Sequence, residues 1–181
     1  MRADAARNLS RVLHTGARLL SEDPTTSISV IAAEAGVDRR TVYRHFDTRE
    51  KLLAAVFQAK LDAATRVLDE ARLLEAPVGV ALHRYVEGIV PVSRAWPLDT
   101  RRMMLMDPAA NIRRAEQSGR LDAFVRRATD EGFFRAGLPS GWVRSILDGL
   151  VDTAAHEFAG IEPPQAADLV VETLLRGVGR P

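Results

Sequence analysis

The sequence predicts an all-α protein. Three observations carry this: apolar residues return every three or four positions along nearly every long segment, no stretch sustains period-two alternation, and proline or glycine punctuates the chain between segments. Leu9, Val12, Leu13, Ala17 and Leu20 form a first stripe, which stops before Ser21-Glu22-Asp23-Pro24, where proline ends a helix. Ser27 to Ala35 reads as a short helix, with Ser27 placed to cap its free N–H groups. Gly36 follows, where a chain leaving a helix commonly takes a positive φ. Asp38 caps the next short helix, which runs to about His45. A long helix over 48–74 comes next, with Leu53, Phe57, Leu61, Ala64 and Leu68 on one face.

Beyond Ala76-Pro77, helices are expected over 78–95, 98–106, 108–132, 140–160 and 164–177. Asp107-Pro108 is an N-cap followed by proline at the first helical position, where a missing N–H costs nothing. Pro97, Gly137-Leu138-Pro139 and Pro163-Pro164 separate the others. Asp148-Gly149 sits in helical context and is a poor hairpin turn. There is no internal repeat and no low-complexity tract.

The chain has 181 residues, 46% hydrophobic and 27% charged, an ordinary composition for a protein with a sizeable core. Cysteine is absent, which excludes disulfides, thiolate zinc sites and cysteine nucleophiles, and fits a reducing cytoplasm. The opening Met1-Arg2-Ala3-Asp4 leads into amphipathic sequence and not an apolar signal core, and no apolar run approaches the ~18 residues of a membrane span. The expected location is cytoplasmic, with no membrane partner. Overall charge is +1, so no global field marks a nucleic-acid binder. The first 60 residues nevertheless hold ten Lys and Arg against seven Asp and Glu, and the remainder is net acidic. The first third is the part suited to meet an anion.

The informative stretch is Ser27 to Phe46. Two short helices cross steeply over a tight turn only when several local conditions hold together. Ala32 is the small residue where the second helix passes. Gly36 tolerates left-handed geometry in the turn. Ile31, Ala35, Val37, Val42 and Phe46 are spaced to plug the angle between the helices. This is a helix-turn-helix pattern. With Val42 and Phe46 inward, Arg40 and Arg44 point nearly opposite, flanked by Thr41 and Tyr43. Arginine bonds guanine O6 and N7 bidentately, while threonine and tyrosine reach phosphates or a thymine methyl. Ser27 and Ser29 open the first of these helices, and Arg49 and Lys51 open the following one. Both sets suit phosphate, because helix N-termini and basic side chains favour it.

Residues 9–57 resemble the N-terminal DNA-binding domain of the TetR family of transcriptional regulators. The resemblance rests on Ile31-Ala32, Ala35-Gly36-Val37, Thr41-Val42-Tyr43, His45-Phe46 and Lys51-Leu52-Leu53, preceded by the amphipathic helix ending near Leu20. It implies about nine helices: a three-helix DNA-binding domain over 1–50, joined by the long helix to a helical ligand-binding and dimerisation domain over 51–181. It also implies a non-enzymatic homodimer, most simply a repressor released from a palindromic double-stranded operator by a small, largely apolar effector. Carried onto this chain, Arg39, Arg40, Thr41 and Arg44 become base or phosphate contacts, and Tyr43, His45 and Arg49 backbone contacts. Two departures stand out. Asp38 occupies a cap position where serine is often found, and Asp47-Thr48-Arg49-Glu50 sets two acids among the basic residues.

The rest of the chain carries no catalytic signature, and neither metal nor cofactor is expected. Asp152 and His156 share a helix face, beside Glu157, and read first as a surface ion pair. Two later helices have broad apolar faces that pack either within the subunit or across a four-helix dimer interface; the resemblance favours the interface, with Ile146, Leu150, Leu169, Val170 and Leu174 in it. Met103, Met104 and Met106 cluster beside Trp96. Since the resemblance implies a cavity between these helices, Tyr85, Trp96, Met103 and Trp142 are expected to line it. A ligand-independent, architectural DNA binder acting through protein partners is the alternative reading. An enzyme built on Asp152, His156 and Glu157 is a distant third.

Overall fold

A computed structural model describes residues 2–98 and 108–179, and among them the chain is all-α. Eight helices appear: α1 (Arg2–Glu22), α2 (Ile28–Glu34), α3 (Arg39–His45), α4 (Arg49–Ala71), α5 (Val78–Ala95), α6 (Pro108–Asp130), α7 (Trp142–His156) and α8 (Pro163–Val178). The helix expected over 98–106, with Met103, Met104 and Met106, lies outside the described residues. The one β-type pairing described is an isolated bridge between Phe134 and Gly179.

The chain forms two compact units, the first over Met1–Asp62 and Ala95–Asn111, the second over Ala63–Arg94 and Ile112–Pro181. In the first, α2 packs on both α1 and α3. Val12, Ala17 and Leu20 of α1 are buried, as are Ile31 and Ala32 of α2 and Val42 of α3. Leu52, Val56 and Phe57 of α4 have no exposed surface. The residues after α5 also belong here: Trp96 stacks on His14 of α1 with centroids 4.3 Å apart, and Lys60 Nζ donates to the Leu98 carbonyl at 2.9 Å.

The second unit has its own core, including Leu82 and Val86 of α5, Phe124 of α6, Leu147 of α7, and Ala166 and Leu174 of α8. Helices α7 and α8 pack on one another. Gly88 of α5 is a point of close approach, since a Cβ there would stand 2.8 Å from Val67 Cγ1. Arg94, at the end of α5, donates to the Ala154 and Phe158 carbonyls at 3.0 and 3.3 Å. A cation there compensates the negative end of the α7 dipole.

Candidate nucleic-acid interface

The turn between α2 and α3 is built as its residues require. Ser27 is in extended conformation, and its Oγ accepts from the Val30 N–H at 3.3 Å. At the other end, Gly36 takes φ +62° and the Val37 N–H returns to the Ala32 carbonyl at 3.0 Å. That backward bond satisfies a carbonyl left over at a helix end. Asp38 then accepts from the Arg40 and Thr41 N–H groups at 2.9 and 3.2 Å. Its charge is therefore directed at the α3 N-terminus, where the helix dipole favours an anion.

With the turn fixed, α3 buries Val42 and, at its end, Phe46, at 2% and 8% exposure. Arg40 and Arg44 stand exposed on the far side, and among the described residues nothing engages either guanidinium. Arg39 and His45 are also exposed, while Thr41 and Tyr43 are half-buried. Arg39 lies over the Tyr43 ring, and the Tyr43 hydroxyl is 3.4 Å from Ser29 Oγ. Those two neighbours, Ser29 first and Arg39 second, hold the Tyr43 hydroxyl below the usual tyrosine pKa.

The opening of α4 is more compromised electrostatically. Thr48 Oγ1 accepts from the Lys51 N–H at 3.2 Å, while the Lys51 ammonium pairs with Asp47 at 2.8 Å. Arg49 is 3.8 Å from Glu50, yet its Nη1 is buried and has no hydrogen-bond partner among the described residues.

Two supports were missed in the sequence. Arg11 donates to the Gly36 carbonyl at 3.1 Å, bracing the turn from α1, and Arg18 pairs with Glu34 at 2.8 Å. Their partners are 25 and 16 residues away, so no local spacing reveals them.

The residues expected to line a cavity divide between the two units, with Met103 outside the described residues. Tyr85 is buried in the second unit, and desolvation drives its pKa well above the usual tyrosine value, with Arg144, Asp148 and Arg114 as charged neighbours. Trp96 is in the first unit against His14, Trp142 is 51% exposed, and Met103 lies outside the described residues. A groove of about 720 Å³ in the second unit is lined by others, among them His83, Asp168, Leu175 and Arg176. The residues expected at a dimer interface divide by burial. Leu169 is 48% exposed, Ile146 and Leu150 are half-buried, and Val170 and Leu174 are sealed in their own subunit. His156 Nδ1 is 3.0 Å from Asp152, the expected ion pair, and among the described residues no three His, Asp or Glu side chains could hold a metal. No described helix is long and apolar enough to cross a membrane.

Residues 12–56 match the family described as bacterial regulatory proteins, tetR family. Over 180 residues the chain is 28% identical to the HTH-type transcriptional repressor LfrR of Mycolicibacterium smegmatis, covering 95% of this chain and 90% of that one. Among solved structures, the TetR-like regulator LfrR from Mycobacterium smegmatis in complex with proflavine is similar at TM-score 0.72 and 24% identity, over 97% of this chain and 99% of that one. The ketosteroid regulator KstR2 of Mycobacterium tuberculosis is similar at TM-score 0.79 and 16% identity, over 96% and 95%.

Proposed function

Because residues 12–56 match the family of bacterial regulatory proteins, tetR family, we propose that this chain is a DNA-binding transcriptional repressor acting as a homodimer in the cytoplasm. The observation that carries the reading is the α3 edge: Arg40 and Arg44 exposed and, among the described residues, unengaged, on a helix whose opposite side, Val42, is buried. These two arginines read bases in the major groove. Thr41, His45, Arg49, Lys51 and the Ser27 and Ser29 end of α2 take backbone phosphates.

One such helix reads only a few base pairs, so specificity needs two, about one DNA turn (~34 Å) apart. The second copy docks on the outer side of α7 and α8, through Ile146, Leu150 and Leu169. The exposed Trp142 extends that surface. Val170 and Leu174 support it from inside the subunit. The same symmetry makes the operator palindromic.

Repression requires only that the bound dimer occlude a promoter, so no catalytic step is involved. Release follows when a small, largely apolar effector prefers the conformation whose recognition helices are wrongly spaced. A hundredfold loss of operator affinity corresponds to ~2.7 kcal/mol of coupling. The LfrR complex with proflavine supports uptake of a small molecule by this fold. Of the residues expected around such a molecule, Tyr85 is the one we retain as its polar contact.

Selection of bound sites from a random duplex library tests the proposal. The expected product is a palindrome with half-sites one helical turn apart. Recovery of unrelated sequences, or of single half-sites only, would overturn it.

A further inference from the structure

Arg39 precedes Tyr43 by one turn of α3, and its guanidinium carbon is 5.1 Å from the ring centroid. From α2, Ser29 brings its Oγ to 3.4 Å from the Tyr43 hydroxyl. Hydroxyl pairs usually close to about 2.7–2.8 Å, so these two are loosely mated. Each has a proton to give, and an oxygen that only accepts could take both. A phosphate oxygen is such an acceptor.

We propose that Arg39 is a positioning residue that holds the Tyr43 ring so that the Tyr43 and Ser29 hydroxyls, one from each helix of the turn, together grip one phosphate of the duplex. This rests on the DNA-binding reading above and divides the labour within α3. Among the described residues nothing engages the Arg40 and Arg44 guanidiniums, which are left for bases, whereas Arg39 is committed to a ring. Stacking on an aromatic face suits the planar guanidinium and would be lost with most replacements. The other ionisable groups of α3 are Arg40, Arg44 and His45. The one charged residue of α2, Glu34, is already paired with Arg18. The lowered pKa of the Tyr43 hydroxyl, set by Ser29 and then Arg39, agrees with this arrangement.

The test is a double-mutant cycle with two readouts. Tyr43→Phe, Ser29→Ala and Arg39→Gln are each titrated with the selected operator and with a random-sequence duplex of equal length. Each should weaken both by the same factor, about three- to tenfold for one lost hydrogen bond. Adding Arg39→Gln to Tyr43→Phe should cause no further loss, and sites selected by Arg39→Gln should keep the original sequence. The second readout is tyrosine absorbance against pH without DNA. The chain has two tyrosines, and burial holds Tyr85 far above the other, so the first transition belongs to Tyr43. Arg39→Gln should move that transition upward.

Additive losses in the cycle, or an altered selected sequence, would make Arg39 a direct contact and overturn the proposal. So would an unmoved Tyr43 titration. A wild-type chain that binds no duplex, yet whose Tyr43 transition still moves in Arg39→Gln, would overturn the phosphate grip together with the DNA-binding reading. The Arg39–Tyr43 pairing alone would then stand.

Discussion

Leu169 and Leu174 lie five residues apart on α8 and differ sharply in burial. Leu174 is fully buried within its own subunit, and Leu169 is 48% exposed. Replacing Leu169 with arginine should therefore separate the subunits without unfolding them. A fully buried leucine is worth roughly 1.5–3 kcal/mol, so covering the exposed half contributes about 1 kcal/mol per subunit. A two-fold interface contains the residue twice, so about 2 kcal/mol is lost from the dimer on burial alone. Desolvating two unpaired guanidiniums adds several kcal/mol more. The sum is at least ~4 kcal/mol, or about a thousandfold in the dimer dissociation constant. Leu174→Ala should instead lower subunit stability by about 2–5 kcal/mol, because it opens a cavity in the core. Sedimentation across a concentration series, paired with thermal melts, separates the two effects. A Leu169→Arg protein that stays dimeric throughout that series, with an unchanged melt, would refute the placement of the interface.

Arg44→Ala should reduce operator affinity by about 1–3 kcal/mol while barely changing affinity for random duplex, measured by fluorescence anisotropy. Equal losses on both would reassign Arg44 to phosphate. Gly88→Ala should lower the melting temperature, since the 2.8 Å approach to Val67 leaves no room for a methyl and overpacking of ~1–3 kcal/mol exceeds the helix-propensity gain. An unchanged or higher melting temperature would show that α5 shifts freely there. The Asp23 carboxyl is held below its usual pKa by hydrogen bonds from Thr25. Its folded pKa is depressed, so its contribution is present above the unfolded carboxylate pKa and fades as pH falls through the folded value. Asp23→Asn should therefore reduce stability near neutral pH and converge with wild type in strong acid, as followed by denaturant titration at both pH values.

The parts legible in the sequence were those fixed by residues close together in the chain. Ser27, Gly36, Asp38, Val42 and Phe46 act over a few positions, and the structure uses the two caps, the positive φ and the inward pair as their chemistry suggests. The brace from Arg11 to Gly36 was illegible because it joins positions 25 apart and makes no periodic pattern. Trp96 shows a subtler obstacle. Its neighbours in sequence are a helix end and a methionine-rich stretch, yet it is built into the first unit against His14. On α8 the apolar face is broad enough to serve two surfaces. Periodicity identified Leu169, Val170 and Leu174 together, and only packing separates the outward residue from the two that fill the core.

Operator recognition depends on the cationic edge of α3. The most direct measurement compares wild type with an Arg40→Ala, Arg44→Ala double variant on the selected operator, at low and at physiological salt. Tight operator binding by wild type, lost in a double variant that remains dimeric and folded, is the predicted result. Equal binding by the two proteins, or no duplex binding by wild type even at low salt, would contradict it.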